Sequence, residues 1–388
     1  MRIAFIVPRF PPHIGGVEQH SKNIVENLAA MGLEVTVHTL NTDKNLKQKL
    51  KSSEKFTTEN LSSGVIKKNY SLNKLNRIEA PPYRKIVDSI QKEKPDIVHL
   101  QMYHQPLAAL VQRNIDFPPT VFTPHYHGVG KNTFTTMLHK PWGFIAGNNL
   151  FAKTTKIIAV SESEQKLILK DFPFVSEKVI TIPNGVISDK SIYYNKTTIV
   201  DSGSTGQEKE SFASENFNLT IDYRKPTLLY VGRLEKYKNV DILMRYCSNK
   251  NWNLIIVGAG PYHESLLSLN KTLENKAYLL GSLADFEIEY LLARSDCYVS
   301  LSSQEAFGLN IAQYSSQAVP VVCSDIEAHR YVRNLDKESN IQLVDINSKE
   351  NFLSAVEKAI KSKRIAARNP TWEEVARETF DVYKKIVK

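Results

Sequence analysis

The stretch from Tyr298 to Cys323, YVSLSSQEAFGLNIAQYSSQAVPVVC, constrains this chain more than any other. An apolar run carrying Tyr298 and Val299 breaks into a polar loop of small residues, Ser300 to Gln304. A helix is expected from near Gly308, and Pro320 opens a further β-branched run. Strand, loop, helix and strand in that order form the repeating unit of a parallel sheet covered by helices. In such a sheet the loop and the first helical turn lie outside the carboxyl ends of the strands, where unpaired N–H groups can hold a phosphate. The stretch is therefore a place for an anionic ligand.

With 388 residues the chain exceeds the usual size of one core, so two α/β domains are expected. It contains no run of 18 or more apolar residues, and its opening MRIAFIVPRF reads as a first strand rather than a signal peptide, because proline and charge interrupt it. A cytoplasmic protein is expected. Cys247, Cys297 and Cys323 lie in apolar surroundings without metal-ligand spacing and read as buried reduced thiols. Charge is uneven: residues 1–180 hold 24 Lys/Arg against 15 Asp/Glu, whereas 181–388 hold 26 of each. A basic first half suits an anionic membrane surface or a phosphorylated lipid, or reflects nothing more than a basic proteome. No nucleic-acid recognition motif accompanies it.

Taken in order, Ile3 to Val7 is a buried strand, Pro8 to Gly16 a loop, and Val17, Ile24, Val25 and Leu28 follow helical spacing up to Gly32. Gly15 and Gly16 stand where the loop enters this helix. They can bring bare N–H groups against a sugar or phosphate, or simply make a tight turn. Asn41 to Ser63 is lysine-rich and polar and reads as a solvated helix or loop. Lys67 to Arg84 interleaves basic and aromatic residues, a mixture that can hold a lipid phosphate or pack in an ordinary way. Thr120 to Gly130, TVFTPHYHGVG, ends a strand in two histidines, His125 and His127. No acidic or Cys partner stands at a telling distance from them, so a metal is the weaker account, and a neutral imidazole there can hydrogen-bond a ligand hydroxyl. Ser161 and Glu164 have capping-box spacing, as do Thr371 and Glu374. Ser188 to Thr220 is polar and almost unpatterned and reads as a surface excursion.

In the second half, Arg233 and Lys238 follow the strand Pro226 to Val231 and stand five residues apart across a turn. A diphosphate leaving group would use both, the arginine as a planar bidentate donor and the lysine as a point charge. Leu254 to Gly260 is a strand running into a glycine turn. Glu305 and position 313 lie eight residues apart, about 12 Å along a helix, so both can serve one long ligand at different points.

These motifs resemble the GT-B-fold retaining glycosyltransferases of family 4. Glu305, Phe307, Gly308 and Leu309 match the family signature, as does Ala318 to Val322. Its second glutamate is Gln313 here. Further matches are Lys94-Pro-Asp96, Ile182 to Val186, the pair Arg233/Lys238, and a terminal helix containing Trp372. Asn239 stands where the family has glycine. The resemblance implies that Gly15 and Gly16 lie against the donor phosphates and that Gly258 and Leu280 frame the nucleotide base. It places His125, with His127 close by, near the transferred sugar. Glu305 would contact sugar hydroxyls, Gly308 and Leu309 would offer amides to the phosphate beside Phe307, and position 313 would grip the ribose. A glutamine can accept one hydroxyl but presents an NH₂ where a carboxylate has its second acceptor, at a cost of about 1–3 kcal/mol in nucleotide binding.

The expected architecture is two Rossmann-like domains facing across a cleft: an acceptor domain over 1–187, a polar linker over 188–223, a nucleotide-sugar domain over 224–370, and a terminal helix over 371–388 crossing back. The expected activity moves a hexose from a UDP- or GDP-sugar to a lipid-linked or cell-surface glycan, without cofactor or metal, at the inner face of the cell membrane. The rival readings are a non-catalytic nucleotide-sugar-binding or assembly subunit, and an epimerase or phosphorylase on the same architecture.

Overall fold

The computed structural model of the chain describes residues 1–13, 15–41, 56–62, 64–71, 73–75, 78–80, 82–116, 118–128, 147–187, 209–214 and 217–387. Its packing divides into two units, Met1–Gly185 with Pro370–Lys388, and Val186–Asn369.

In chain order the strands of the first unit are β1 (Arg2–Val7), β2 (Glu34–Asn41), β3 (Thr57–Ser62), β4 (Val65–Ser71), β5 (Asn73–Leu75), β6 (Ile78–Ala80), β7 (Ile97–Gln101), β8 (Thr120–Thr123), β9 (Lys156–Ala159) and β10 (Val179–Thr181). Eight form one sheet in the order β10-β9-β8-β7-β1-β2-β4-β3, parallel except where β3 runs against β4. The order reverses between β1 and β7, as in a doubly wound fold. Strand β1 is buried at Ile3 through Val7, the continuous apolar run that a strand covered on both faces needs. The helix Gly16–Ala30 follows it, and the terminal helix Trp372–Ile386 packs on that helix. Thr371 and Glu374 form the expected box: the Glu374 amide donates to Thr371 Oγ1 at 3.2 Å and the Thr371 amide to Glu374 Oε2 at 2.7 Å.

The second unit opens with an antiparallel hairpin, β11 (Lys209–Ser214) and β12 (Phe217–Asp222). Then come β13 (Thr227–Val231), β14 (Asn253–Val257), β15 (Tyr278–Leu279), β16 (Cys297–Ser300), β17 (Val321–Ser324) and β18 (Ile341–Val344). These six make a parallel sheet in the order β15-β14-β13-β16-β17-β18. The order reverses between β13 and β16, so the loops leaving those two strands stand side by side at the carboxyl ends, the switch point of an open α/β sheet. The three cysteines of this unit are buried free thiols, as expected.

Four readings change. The segment read as an unpatterned linker contains the hairpin β11–β12, while 188–208 lie outside the described residues. Asn41 to Ser63 supplies the edge strand β3, with 42–55 outside the description. Lys67 and Lys68 are not offered to a lipid phosphate. Lys67 Nζ donates to Pro11 O (2.9 Å) and pairs with Glu59 (3.2 Å), and Lys68 Nζ pairs with Glu93 (2.7 Å). Beside them Tyr70 is fully buried and bonded to His38 at 3.0 Å. Last, Ser161 caps the helix Glu162–Asp171 by accepting from the Glu164 amide, but Glu164 does not return the bond to Ser161. Its carboxyl oxygens accept from the amides of Val160 (2.6 Å) and Tyr126 (2.5 Å) instead, because it is buried against the end of β8.

Candidate active site

Parallel pairing of β13 with β16 brings Gly232–Lys238 and Leu301–Gly308 to the same end of the second sheet. The loops are stapled together. The Ser303 amide donates to Tyr237 O at 2.9 Å, Asn239 Nδ2 donates to Leu301 O at 2.8 Å, and Lys238 Nζ donates to Glu305 Oε1. Asn239 sits in the left-handed region at φ 53°, the conformation for which glycine is favoured, and its amide makes a cross-loop bond that glycine lacks.

Arg233 and Lys238 each have a carboxylate of their own. Arg233 Nη2 lies 3.1 Å from Glu235 Oε1, with its side chain 37% exposed, whereas Lys238 is paired with Glu305 at 15% exposure. All four charges act on the hydroxyl of Tyr237, which stands among them. Burial alone would raise the Glu305 carboxyl and lower the Lys238 ammonium. Their mutual attraction reverses both, leaving Glu305 below and Lys238 above its ordinary pKa, so the pair is ionised at neutral pH.

The helix Leu309–Ser316 starts from Gly308 at φ 97°, and no side chain caps it. Its first N–H groups, on Leu309 and Asn310, precede the first intrahelical bond, which leaves the positive end of the helix beside the basic pair. Asn310 Nδ2 anchors the turn on Val231 O at 2.8 Å. A side chain at 308 would put its Cβ 3.1 Å from His329 Cδ2. His329 Nδ1 donates to Ser324 O at 2.8 Å, and burial pulls this imidazole down to about 4.

Four more of the expected residues have partners within the second unit. Phe307 is buried with its ring 6.1 Å from Tyr331, so it packs the loop. A Cβ on Gly258 would lie 1.9 Å from Gly232 O, so this glycine permits the loops after β13 and β14 to touch. Leu280 is buried and its amide is bonded to Ile256 O at 2.9 Å, within the sheet. Gln313 turns its carboxamide onto the backbone of Ile187.

In the first unit, Gly16 has open space around it, and Gly15 faces the carboxylate of Glu18, whose Oε2 would lie 2.3 Å from a Cβ there. His125 and His127 part company. His127 stacks on His104 at 4.3 Å, while His125, at φ 49°, enters a buried polar cluster. His125 Nε2 lies 2.8 Å from Gln101 Oε1, and Gln101 Nε2 lies 3.1 Å from His99 Nε2. His99 Nδ1 lies 2.5 Å from the Tyr383 hydroxyl of the terminal helix. His20 stands edge-on to His125 at 4.8 Å, with Nδ1 2.8 Å from Asn184 Oδ1. Burial keeps His20, His99 and His125 neutral, His20 at about 4 and the other two well below their ordinary value. The sequence signal for this cluster was available: His99 and Gln101 alternate on one face of an otherwise apolar strand. Among the described residues no group of three or more His, Cys, Asp or Glu side chains is placed to hold a metal ion.

Residues 14–190 match the family model Glycosyltransferase Family 4, and residues 211–378 match Glycosyl transferases group 1. The chain is a glycosyltransferase of family 4. Its two Rossmann-like units are those of the GT-B fold, its substrate is a nucleotide-diphosphate sugar, and it belongs to the retaining class. Among curated relatives, a glycogen synthase of Hydrogenobaculum sp. is 24% identical over 59% of this chain and 55% of its own, so the match spans about half of that protein. The GPI3 subunit of phosphatidylinositol N-acetylglucosaminyltransferase of Saccharomyces cerevisiae is 22% identical over 99% of this chain and 83% of its own. Among solved structures, HepE of Anabaena in complex with UDP-glucose superposes with a TM-score of 0.67 at 17% identity, covering 100% of this chain and 96% of that one.

Proposed function

We propose that this glycosyltransferase moves a hexose from a UDP- or GDP-sugar to a lipid-linked or cell-surface glycan acceptor, with Arg233, Lys238, Glu305 and the helix start at Gly308 forming the donor end of its site. The observation that carries this reading is the stapled pair of loops at the switch point of the second unit. There an arginine, an ionised lysine–glutamate pair and an uncapped helix N-terminus stand on two joined loops at one end of the sheet.

In this reading the acceptor hydroxyl attacks the anomeric carbon from the face that the nucleotide leaves. The bond from that carbon to the phosphate oxygen breaks as the new glycosidic bond forms, and the departing phosphate oxygen takes the acceptor's proton. Charge accumulates on the diphosphate, where Arg233, Lys238 and the first amides of Leu309–Ser316 meet it. Glu305 accepts from sugar hydroxyls with the carboxylate that Lys238 keeps ionised. His125 offers a ring nitrogen to a sugar hydroxyl.

The acceptor class draws support from the yeast relative, whose name specifies phosphatidylinositol. No helix among the described residues is long and apolar enough to cross a membrane. In this reading the chain meets such an acceptor peripherally, on the cytoplasmic face.

The test is a calorimetric panel of UDP- and GDP-sugars against the wild type and Arg233→Ala, with and without anionic vesicles. The selected donor is then offered to lipid-linked acceptors, and the product's anomeric configuration is read by magnetic resonance. One donor bound by the wild type and weakened in R233A, followed by α-product from an α-donor, is the expected result. Failure of every wild-type sample to bind any donor would overturn the reading.

A further inference from the structure

His99 and Gln101 lie two residues apart on β7, and Thr123 and His125 lie two apart at the end of β8, the strand paired with it. In the parallel register Gln101 stands opposite Thr123. Side chains two apart on a strand share a face, so His99, Gln101 and Thr123 meet on one side of the sheet. His125, just past β8 at φ 49°, sets its ring on Gln101, and the terminal helix brings Tyr383 onto them. His99, Gln101 and Tyr383 are each at most 1% exposed, and His125 is 8% exposed. Polar groups buried this far must satisfy one another, which makes their proton positions interdependent.

With Gln101 oriented as it stands, the donors along the cluster fall into one arrangement. Gln101 directs Oε1 at His125 Nε2 (2.8 Å), and an amide oxygen only accepts, so His125 carries its proton on Nε2. Gln101 Nε2 donates to His99 Nε2 (3.1 Å), where the Thr123 hydroxyl also approaches to 2.8 Å, so that nitrogen is the acceptor. The proton of neutral His99 is then on Nδ1 and donates to the Tyr383 hydroxyl oxygen at 2.5 Å. Reversing any one bond turns Gln101 over and moves the proton of His125 to Nδ1.

We propose that Tyr383 is a positioning residue for transfer: acting through His99 and Gln101, it selects the His125 tautomer whose Nδ1 is a bare acceptor for a hydroxyl of the bound sugar. This rests on the reading of His125 as a sugar contact. Without the phenol oxygen, His99 Nδ1–H would be buried with no acceptor, a penalty that favours the other tautomer of His99. Gln101 must then turn its oxygen to His99 and its NH₂ to His125, which exchanges acceptor for donor at His125 Nδ1. A residue on the last helix of the chain thereby sets the hydrogen-bond polarity of one at the end of β8.

The experiment uses the full chain labelled with ¹⁵N-histidine, with the His125 signals assigned by their loss in His125→Asn. The wild type is expected to show the proton on Nε2, and Tyr383→Phe to show it on Nδ1. In the transfer assay Y383F should lower kcat by about tenfold while leaving the donor KM within about twofold. Gln101→Met cuts the relay in the middle without touching Tyr383. It should abolish the Nε2 preference, and adding Y383F to it should change nothing more. An unchanged His125 tautomer in Y383F overturns the proposal. If Y383F does not fold, an unchanged tautomer in Q101M does so. The tautomer is read without substrate, so a switch in a protein that binds no donor would retain the relay and remove the functional reading, whereas transfer with an indifferent tautomer would do the reverse.

Discussion

Gln313 closes its carboxamide on both backbone groups of Ile187: Oε1 accepts from the Ile187 amide at 2.8 Å, and Nε2 donates to the Ile187 carbonyl at 3.1 Å. A glutamate has no donor and cannot make this pair. The family-like glutamate would therefore keep one bond and set a carboxylate oxygen against the carbonyl. Gln313→Glu is expected to destabilise the second unit by about 1 kcal/mol, read from its urea midpoint. If position 313 also reaches the ribose, the same change tightens nucleotide binding about fivefold or more, because a carboxylate accepts from both hydroxyls. The two readouts then move in opposite directions. A nucleotide affinity that stays level or falls removes position 313 from the ribose contact and leaves it a fastener of the segment at Ile187.

Arg233 should behave in the opposite manner. In its ion pair with Glu235 the arginine side chain is 37% exposed, so removing it does little to stability. Arg233→Ala is expected to shift the unfolding free energy by less than about 0.5 kcal/mol while lowering kcat/KM by about 10²–10³-fold. A loss confined to stability would place the guanidinium outside the charge that develops on the leaving group.

Acid stability follows from four buried imidazoles. His20 and His329 sit near 4, and His99 and His125 well below the ordinary 6.5, because burial disfavours their charged forms. Below about pH 6.5 the unfolded chain takes up protons on these groups that the folded protein does not, so stability falls as pH falls, by about 1.4 kcal/mol per pH unit for each histidine. Glu164 opposes them. Burial raises it from 4.5 to about 8, so its contribution is present at low pH and is lost as pH rises through 8. Four groups outweigh one on the acid side, and Glu164 dominates between 7 and 8. Urea midpoints should therefore peak near neutrality and drop steeply towards pH 5. A flat profile between pH 7 and 5 would show that the imidazoles are hydrated in solution.

The sequence made the second sheet's strand–loop–helix units readable, since apolar runs of strand length ended in glycine or small polar residues at Gly232, Gly258 and Ser300. It could not show that Lys238 would pair with Glu305 rather than stand beside Arg233, because that depends on which strands become neighbours. The hairpin β11–β12 was missed although Phe217, Leu219 and Ile221 alternate with polar residues, since the Ser/Thr/Asn content around them suggested loop. In the first half, the number of basic residues says nothing of where they point. Lys67 and Lys68 point into carboxylates and carbonyls, and formal charge overstates what the surface offers a membrane. The Tyr383–His99–Gln101–His125 cluster joins residues up to 284 apart, a relation visible only once the last helix is docked.

Lys238 and Glu305 allow a separation of fold from chemistry. Their side chains are 15% and 22% exposed, so removing one charge leaves the other poorly hydrated and unpaired. Glu305→Gln and Lys238→Met should each cost about 2–3 kcal/mol of unfolding free energy, and the double variant should recover at least about half of the summed loss, because no lone charge remains. Transfer is expected to show no such recovery. If Lys238 meets the leaving phosphate and Glu305 the sugar, each single variant removes an interaction made in the transition state, and the double variant lacks both. The measurement is a double-mutant cycle read twice, by urea denaturation and by single-turnover transfer. Recovery of both stability and rate in the double variant would make the pair a structural staple between two loops. Recovery of stability alone assigns the chemistry to these two side chains.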